Sequence, residues 1–178
     1  MTSAIANILQ RLGRDQGGVS AVEFALIAPV MVLLYLGMVE ISMALSVDRK
    51  VTNSASALAD LIAQDDVITD DEMTDILNAG AAIIAPFDAA DYSVRISSIS
   101  MSLTNDIAVD WSDARGMAAR APGSEPAIPG GILSPGRSVV WVEVAYSYDA
   151  PFREITGDFE IEEEFFLRPR QSLTVSRQ

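Results

Sequence analysis

From Val19 to Val39 the chain carries a single charged residue, Glu23, within an otherwise apolar run. A helix rises ~1.5 Å per residue, so this run covers roughly 30 Å, about the hydrocarbon thickness of a bilayer. The next charge, Glu40, falls near the far interface, and Ile41 to Val47 continue the helix beyond it. Counted strictly between the two glutamates, the uncharged run is shorter than a bilayer. A spanning helix therefore requires Glu23 to be neutralised or paired, because a lone carboxylate in hydrocarbon is costly. One partner for it is a free α-amino group made by cutting after a glycine. Pro29 removes one backbone hydrogen bond, to Ala25, a loss that membrane helices tolerate better than soluble ones.

Orientation is nearly balanced by charge. Arg11 and Arg14 flank one end, and Arg49 and Lys50 the other. The short N-terminal segment carries the extra amine, and long C-terminal domains translocate largely regardless of charge, so the N-terminus is expected inside. Residues 1–18 read as a short polar-basic leader, 19–47 as a transmembrane helix and 48–178 as one extracytoplasmic domain of ordinary size. The chain holds 25 acidic against 12 basic residues, a net charge of −13. Such a surface repels phosphate backbones, which argues against nucleic acid as a partner. There is no cysteine and no histidine. Disulfides, thiolate metal sites, His-ligated zinc and every histidine-based catalytic arrangement are thereby excluded.

Downstream of the apolar run, Val51, Ala55, Leu58, Leu61 and Ile62 keep helical spacing, so residues 19 to about 64 read as one continuous helix. Thr69 followed by Glu72 is a capping-box pattern, and Asp70, Asp71 and Glu72 suit the positive end of a helix dipole. Met73, Ile76, Leu77, Ile83 and Ile84 supply the apolar face of this second helix, which Pro86 ends. The remainder alternates as strands. Tyr92, Val94 and Ile96 share one parity and Ile99, Met101 and Leu103 the other, which predicts a bulge or bend near Ser97-Ser98. Ile107, Val109 and Trp111 form a short partner strand. Val139 to Tyr148 is the strongest strand, and Phe159 to Leu167 and Leu173 to Val175 are weaker candidates. Pro and Gly crowd residues 113–137, which reads as a surface loop with one helical turn at its start.

Gly18, Val22-Glu23-Phe24-Ala25-Leu26, Pro29, Gly37 and Glu40 together resemble the TadE-like family, minor pseudopilins of the tight-adherence (Flp) type IV pilus apparatus. Arg168-Pro169-Arg170 also resembles a feature of these proteins. The match covers roughly residues 10–60, and beyond it the likeness is one of size and helix-then-strand order. The resemblance implies that Gly18 is the last leader residue, that Val19 becomes the new N-terminus, and that Glu23 is the fifth mature residue. A prepilin-type peptidase would make the cut, and Gly17 offers an alternative cleavage point. Glu23 would then meet the N-terminal amine of a neighbouring subunit, an attraction strengthened by low dielectric.

Other readings stand beside these. Glu23 also fits an interfacial charge outside an ordinary anchor, and Ser42-x-Ala44 offers a signal-peptidase site. Ala21, Ala25, Ala28 and Gly37 suit either close helix packing or an unremarked span. The acids Asp65, Asp66, Asp70, Asp71, Glu72 and Asp75 read as a solvated helix start rather than a calcium site, lacking an EF-hand pattern. The glutamates among aromatics from Phe159 to Phe166 read as a charge-guarded edge strand. The expectation is an α+β, pilin-like chain: a long N-terminal helix, half transmembrane and half soluble, a second helix and a small antiparallel sheet. No catalytic, cofactor or metal residues and no small-molecule substrate are expected. The expected function is structural, as a minor pseudopilin of an adhesive Flp-type pilus in the bacterial inner membrane, with the C-terminal domain periplasmic or extracellular. Expected partners are the membrane, the prepilin-type peptidase, other pilins and the Tad secretion apparatus. The alternatives are an unprocessed, membrane-anchored periplasmic scaffold or binding protein, and a hydrolase using carboxylates alone.

Overall fold

The structure is a computed structural model that describes residues 17–150 and 157–178. It divides into two compact units, Met1–Ser42 and Met43–Gln178. The fold is α+β, as the sequence pattern predicts. Helix α1 is Gly17–Ala63, with Pro29 inside it. The short strand β1 (Val67–Ile68) follows, then helix α2 (Asp70–Ile84) and a 3-10 turn at Ala89–Asp91. Four strands then form the sheet: β2 (Tyr92–Met101), β3 (Ile107–Arg115), β4 (Arg137–Tyr148) and β5 (Phe159–Leu167). They are antiparallel in the order β3-β2-β4-β5. A last strand, β6 (Ser176–Arg177), pairs in parallel with β1.

Within the first unit, the apolar side chains of α1 are exposed. Phe24, Leu26, Tyr35 and Met38 are each about 70% exposed (72, 71, 67 and 70%). Within the second unit, the same helix is amphipathic. Val47, Val51, Ala55, Leu58, Ala59 and Ile62 recur at helical spacing and are buried. They pack with Met73, Ile76, Leu77 and Ile84 of α2 and with one face of the sheet. Each fully buried valine, leucine or isoleucine among them contributes ~1.5–3 kcal/mol of apolar burial.

Helix α2 starts as the capping box predicts. Thr69 Oγ1 accepts from the Glu72 amide at 3.3 Å, and the Glu72 carboxylate accepts from the Thr69 amide at 2.8 Å. Its C-terminal end meets a cation from the other helix, where Lys50 Nζ donates to the Ile83 carbonyl at 3.0 Å. That pairing suits the negative end of the helix dipole. The two helices approach closely at Gly80, where an added Cβ would lie 2.6 Å from Tyr92 Oη and 2.9 Å from Leu58 Cδ1. The Tyr92 hydroxyl is held there by Ser54 Oγ at 2.7 Å, and burial raises its pKa.

The sheet is covered on both faces. Tyr92, Val94 and Ile96 of β2 and Val140, Val142, Val144 and Tyr146 of β4 face the helices. Ile99, Val109, Val139 and Trp141 face the other way, into a second cluster with Leu133, Ile128 and Ile132. The last three belong to the Pro/Gly-rich connection between β3 and β4. That connection is therefore a cover for the sheet's second face. The helical turn expected at its start is absent among the described residues, because β3 continues to Arg115 and turns and bends follow.

The register irregularity falls where the alternation switches, between Ser98 and Ile99. Strand β2 itself pairs with β4 without interruption. The additional residue lies in β3: Ser98 pairs with Trp111 and Ile99 with Val109, leaving Asp110 between. Its carboxylate accepts from Ser98 Oγ at 3.1 Å and Ser100 Oγ at 2.6 Å. The bulge turns Trp111 towards the helices and Val109 towards the second cluster. Leu103, expected to continue the alternation, is exposed.

The C-terminal segment ties the elements together. The expected strand at Leu173–Val175 is replaced by β6 one residue further on. Trp111 Nε1 donates to the Val175 carbonyl at 2.7 Å. Arg177 pairs with Asp113 at 2.8 Å and Asp70 at 2.7 Å, and these contacts raise its pKa.

Candidate functional site

The sequence directs attention first to Gly18, Val19 and Glu23. All three lie on helical backbone of α1 and are exposed. Val19 and Glu23 stand four residues apart, one above the other on the same helical face. With Val22 and Leu26 they form an open, mainly apolar surface. Nothing crowds Gly18, since a Cβ there would meet no atom within 4 Å. Glycine in a helix costs ~1 kcal/mol relative to alanine, and Gly17 and Gly18 stand side by side here. Residues 1–16 of the expected leader lie outside the described residues.

Glu40 is set differently from Glu23. It is 2% exposed, and neither carboxylate oxygen has a hydrogen-bond partner among the described residues. Its position shares a helical stripe with Ala44, Val47 and Val51. A buried polar group without a hydrogen-bond partner opposes folding. The sequence placed Glu40 at an interface and gave no sign that it is buried.

A second polar cluster was not anticipated. On the sheet face turned away from the helices, Glu143 of β4 lies between two guanidinium groups. Arg95 Nε and Nη2 donate to it at 2.7 and 2.5 Å, and Arg120 Nη2 at 2.8 Å, with a further bond from Arg120 Nη1. Arg120 also lies over the Trp141 ring, 3.6 Å from its centroid. Burial pushes the Glu143 carboxyl up, but hydrogen bonds and charge from both arginines outweigh it and hold the group below its ordinary value. The bond to Glu143 raises Arg95 in turn. A saturated carboxylate of this kind has no free lone pair to offer a substrate. It fastens the covering connection to the sheet, because Arg120 comes from that connection. The sequence did carry one signal, a lone charge interrupting the apolar strand Val139–Tyr148.

Of the acids from Asp65 to Asp75, two in the first turn of α2 make structural contacts. Asp70 pairs with Arg177, and Glu72 with Thr69, whose backbone amide and hydroxyl hold its carboxyl below the ordinary value. Among the described residues no group of three or more acidic side chains is arranged to hold a metal ion.

An N-terminal helix long and apolar enough to cross a membrane, in a chain that also forms a four-stranded α+β unit, defines the class of protein: one with, among the described residues, one helix fit to be a membrane anchor. More particularly, residues 18–60 match the family model described as TadE-like protein. The matched stretch contains Gly18, Val19, Glu23, Pro29, Gly37 and Glu40. No curated protein and no solved structure was found to match the chain.

Proposed function

We infer that the chain is a minor pseudopilin, a non-enzymatic structural component in the biogenesis of a Tad/Flp-type pilus used for surface adhesion. The observation that carries this reading is the TadE-like match over residues 18–60, which takes in the exposed apolar part of α1. In this reading the membrane span lies within residues 19–47, with the N-terminus cytoplasmic and residues 48–178 periplasmic or extracellular. A prepilin-type peptidase cuts after Gly18, and Val19 becomes the mature N-terminus. Glu23, exposed on the same face as Val19, pairs with the amine of a neighbouring pilin subunit, which supplies the neutralisation its place in an apolar run requires.

The test is the mass of the membrane-extracted chain after co-expression with the cognate peptidase. The expected product begins at Val19. An intact chain retaining Met1 overturns the pseudopilin reading in favour of an unprocessed membrane-anchored scaffold, and a start near Leu45 favours a secretory signal. For Glu23, both Glu23→Ala and Glu23→Gln should leave cleavage intact while impairing pilus assembly. Normal piliation in both variants sinks the pairing mechanism.

A further inference from the structure

The chain carries about twice as many acids as bases, yet one of its cavities is lined by two arginines and no carboxylate. The cavity, of about 450 Å³, lies in the second unit between the start of β4 and the segment after β5. Arg137 and Arg168 line it with Ser134, Ser138 and Ser172. The other arginines of the sheet region are engaged: Arg95 and Arg120 by Glu143, Arg177 by Asp70 and Asp113, Arg115 by Asn78, and Arg170 by Asp60. Among the described residues Arg137 and Arg168 meet no carboxylate. The only side-chain hydrogen bond of either is a long one, 3.3 Å from Arg168 Nη2 to the Ile132 carbonyl.

Local structure holds the two cations together. Ser134-Pro135-Gly136-Arg137 is a turn closed by the Arg137 amide on the Ser134 carbonyl at 3.1 Å, with Gly136 at φ +72°. Proline at the second position and a positive-φ glycine at the third fit a type II turn. The turn places the Ser134 hydroxyl and the Arg137 side chain on the same rim. Arg168 follows Leu167, whose partner in β4 is Val140, three residues beyond Arg137. The Ser138 amide and hydroxyl both donate to the Leu173 carbonyl, at 3.3 and 2.9 Å, which fastens the post-β5 segment across the mouth of β4. Pro169 separates two arginines with different fates. Arg170 is fixed to α1 through Asp60 and the Ala63 carbonyl, whereas Arg168 turns into the cavity.

Both arginines are exposed, so water screens their mutual repulsion, and an anion entering the cavity gains attraction from both. We propose that Arg137 and Arg168, with the Ser134 hydroxyl, bind a phosphate-type oxyanion. A carboxylate bridges two guanidinium groups where it is fixed between them, as Glu143 is, but a phosphate group brings a third oxygen and a charge of about −1.5 to −2 for a monoester, which matches two cations more closely. The site does not depend on the pilus reading. Its ligand is a phosphate group, carried by a lipid or free in solution.

The test uses the full chain in uncharged detergent micelles. Inorganic phosphate is titrated calorimetrically against sodium chloride of equal ionic strength. The expected result is saturable, single-site phosphate binding. Arg137→Ala and Arg168→Ala each weaken it about tenfold or more, the loss typical of a charged hydrogen bond. Arg168→Lys retains part of the binding, having the charge without the fork. Arg49→Ala, which removes the same charge elsewhere, leaves it unchanged. In a second arm, native mass spectrometry follows retention of phosphatidic acid against phosphatidylcholine from doped micelles. Arginine-dependent retention of phosphatidic acid assigns the site to a lipid headgroup, and phosphate binding without lipid preference assigns it to a soluble phosphate. Failure of both probes, equal binding by the alanine variants, or tighter binding of sodium glutamate titrated in the same way overturns the proposal.

Discussion

Glu143 and Glu40 are both carboxylates withdrawn from water, and they differ in what surrounds them. Glu143 accepts from both Arg95 and Arg120, so removing its charge leaves two guanidinium groups without their acceptor. Glu143→Gln should destabilise the second unit by ~1.5–3 kcal/mol in chemical denaturation. It should also change the acid limb of the stability curve. The Glu143 pKa is depressed in the fold, so its contribution is complete above the ordinary value of about 4.5 and is lost as pH falls through the lower folded value. Wild type should therefore lose its advantage over Glu143→Gln on acidification, and a constant difference across that range would refute this account. Glu40 has no partner among the described residues, which gives the opposite sign. Glu40→Met replaces a buried polar group that has no partner with an apolar one of similar size, so it should raise the melting temperature of the isolated full chain. A lowered melting temperature would show that the carboxylate is satisfied in the isolated chain after all.

Among elements, α2 was the most legible, because its start signal is local. Thr69 and Glu72 satisfy each other's neighbouring backbone amides within four residues, and no distant contact is needed to read that pattern. Thr69→Ala should cost ~1 kcal/mol of stability, with amide exchange rising first in the opening turn of the helix. Unchanged exchange there would mean that packing against α1 holds this end instead. Helix α1 and the four sheet strands were readable for a related reason, since period and parity survive in the sequence whatever the chain packs against. The β2–β3 irregularity shows where that legibility stops. The parity switch in β2 was visible, but its cause was not a break in β2. The strand keeps its alternation while the apolar positions pass from the helix-facing side to the side covered by Ile128, Ile132 and Leu133. That cover comes from a Pro/Gly-rich stretch with no periodicity, so the sequence showed a loop and hid its packing. Arg120, the residue that fastens the loop through Glu143 and Trp141, was invisible for the same reason. Glu23 and the Gly18–Val19 bond were legible as a motif, whereas the Arg137–Arg168 cavity depends on residues far apart in sequence and on which arginines are already engaged.

At the scale of the whole molecule, a chain of net charge −13 joins an exposed apolar helix to a sheet that helices and a connecting segment cover on its two faces. Covering the faces leaves the two outer strands as the places where another backbone could add. They are closed by different means. Along β3, Val109 donates to the Ser124 carbonyl at 3.0 Å and accepts from the Gly123 amide at 2.8 Å, so the chain itself occupies that rim at Val109. Along β5, Glu160, Glu162, Glu163 and Glu164 stand in the strand, and charge does the guarding. Replacing Glu160, Glu162 and Glu164 with glutamine should leave the monomer folded but promote β-rich aggregation, followed by thioflavin fluorescence; a variant that stays monomeric would show that β5 is protected by something other than charge. One rim is thus blocked by matter and the other by repulsion. A blocked rim rejects every newcomer alike, whereas a repelling rim sorts them. Two copies of this chain cannot join β5 to β5 without crowding like charges together, but a strand rich in lysine or arginine would find the same rim inviting.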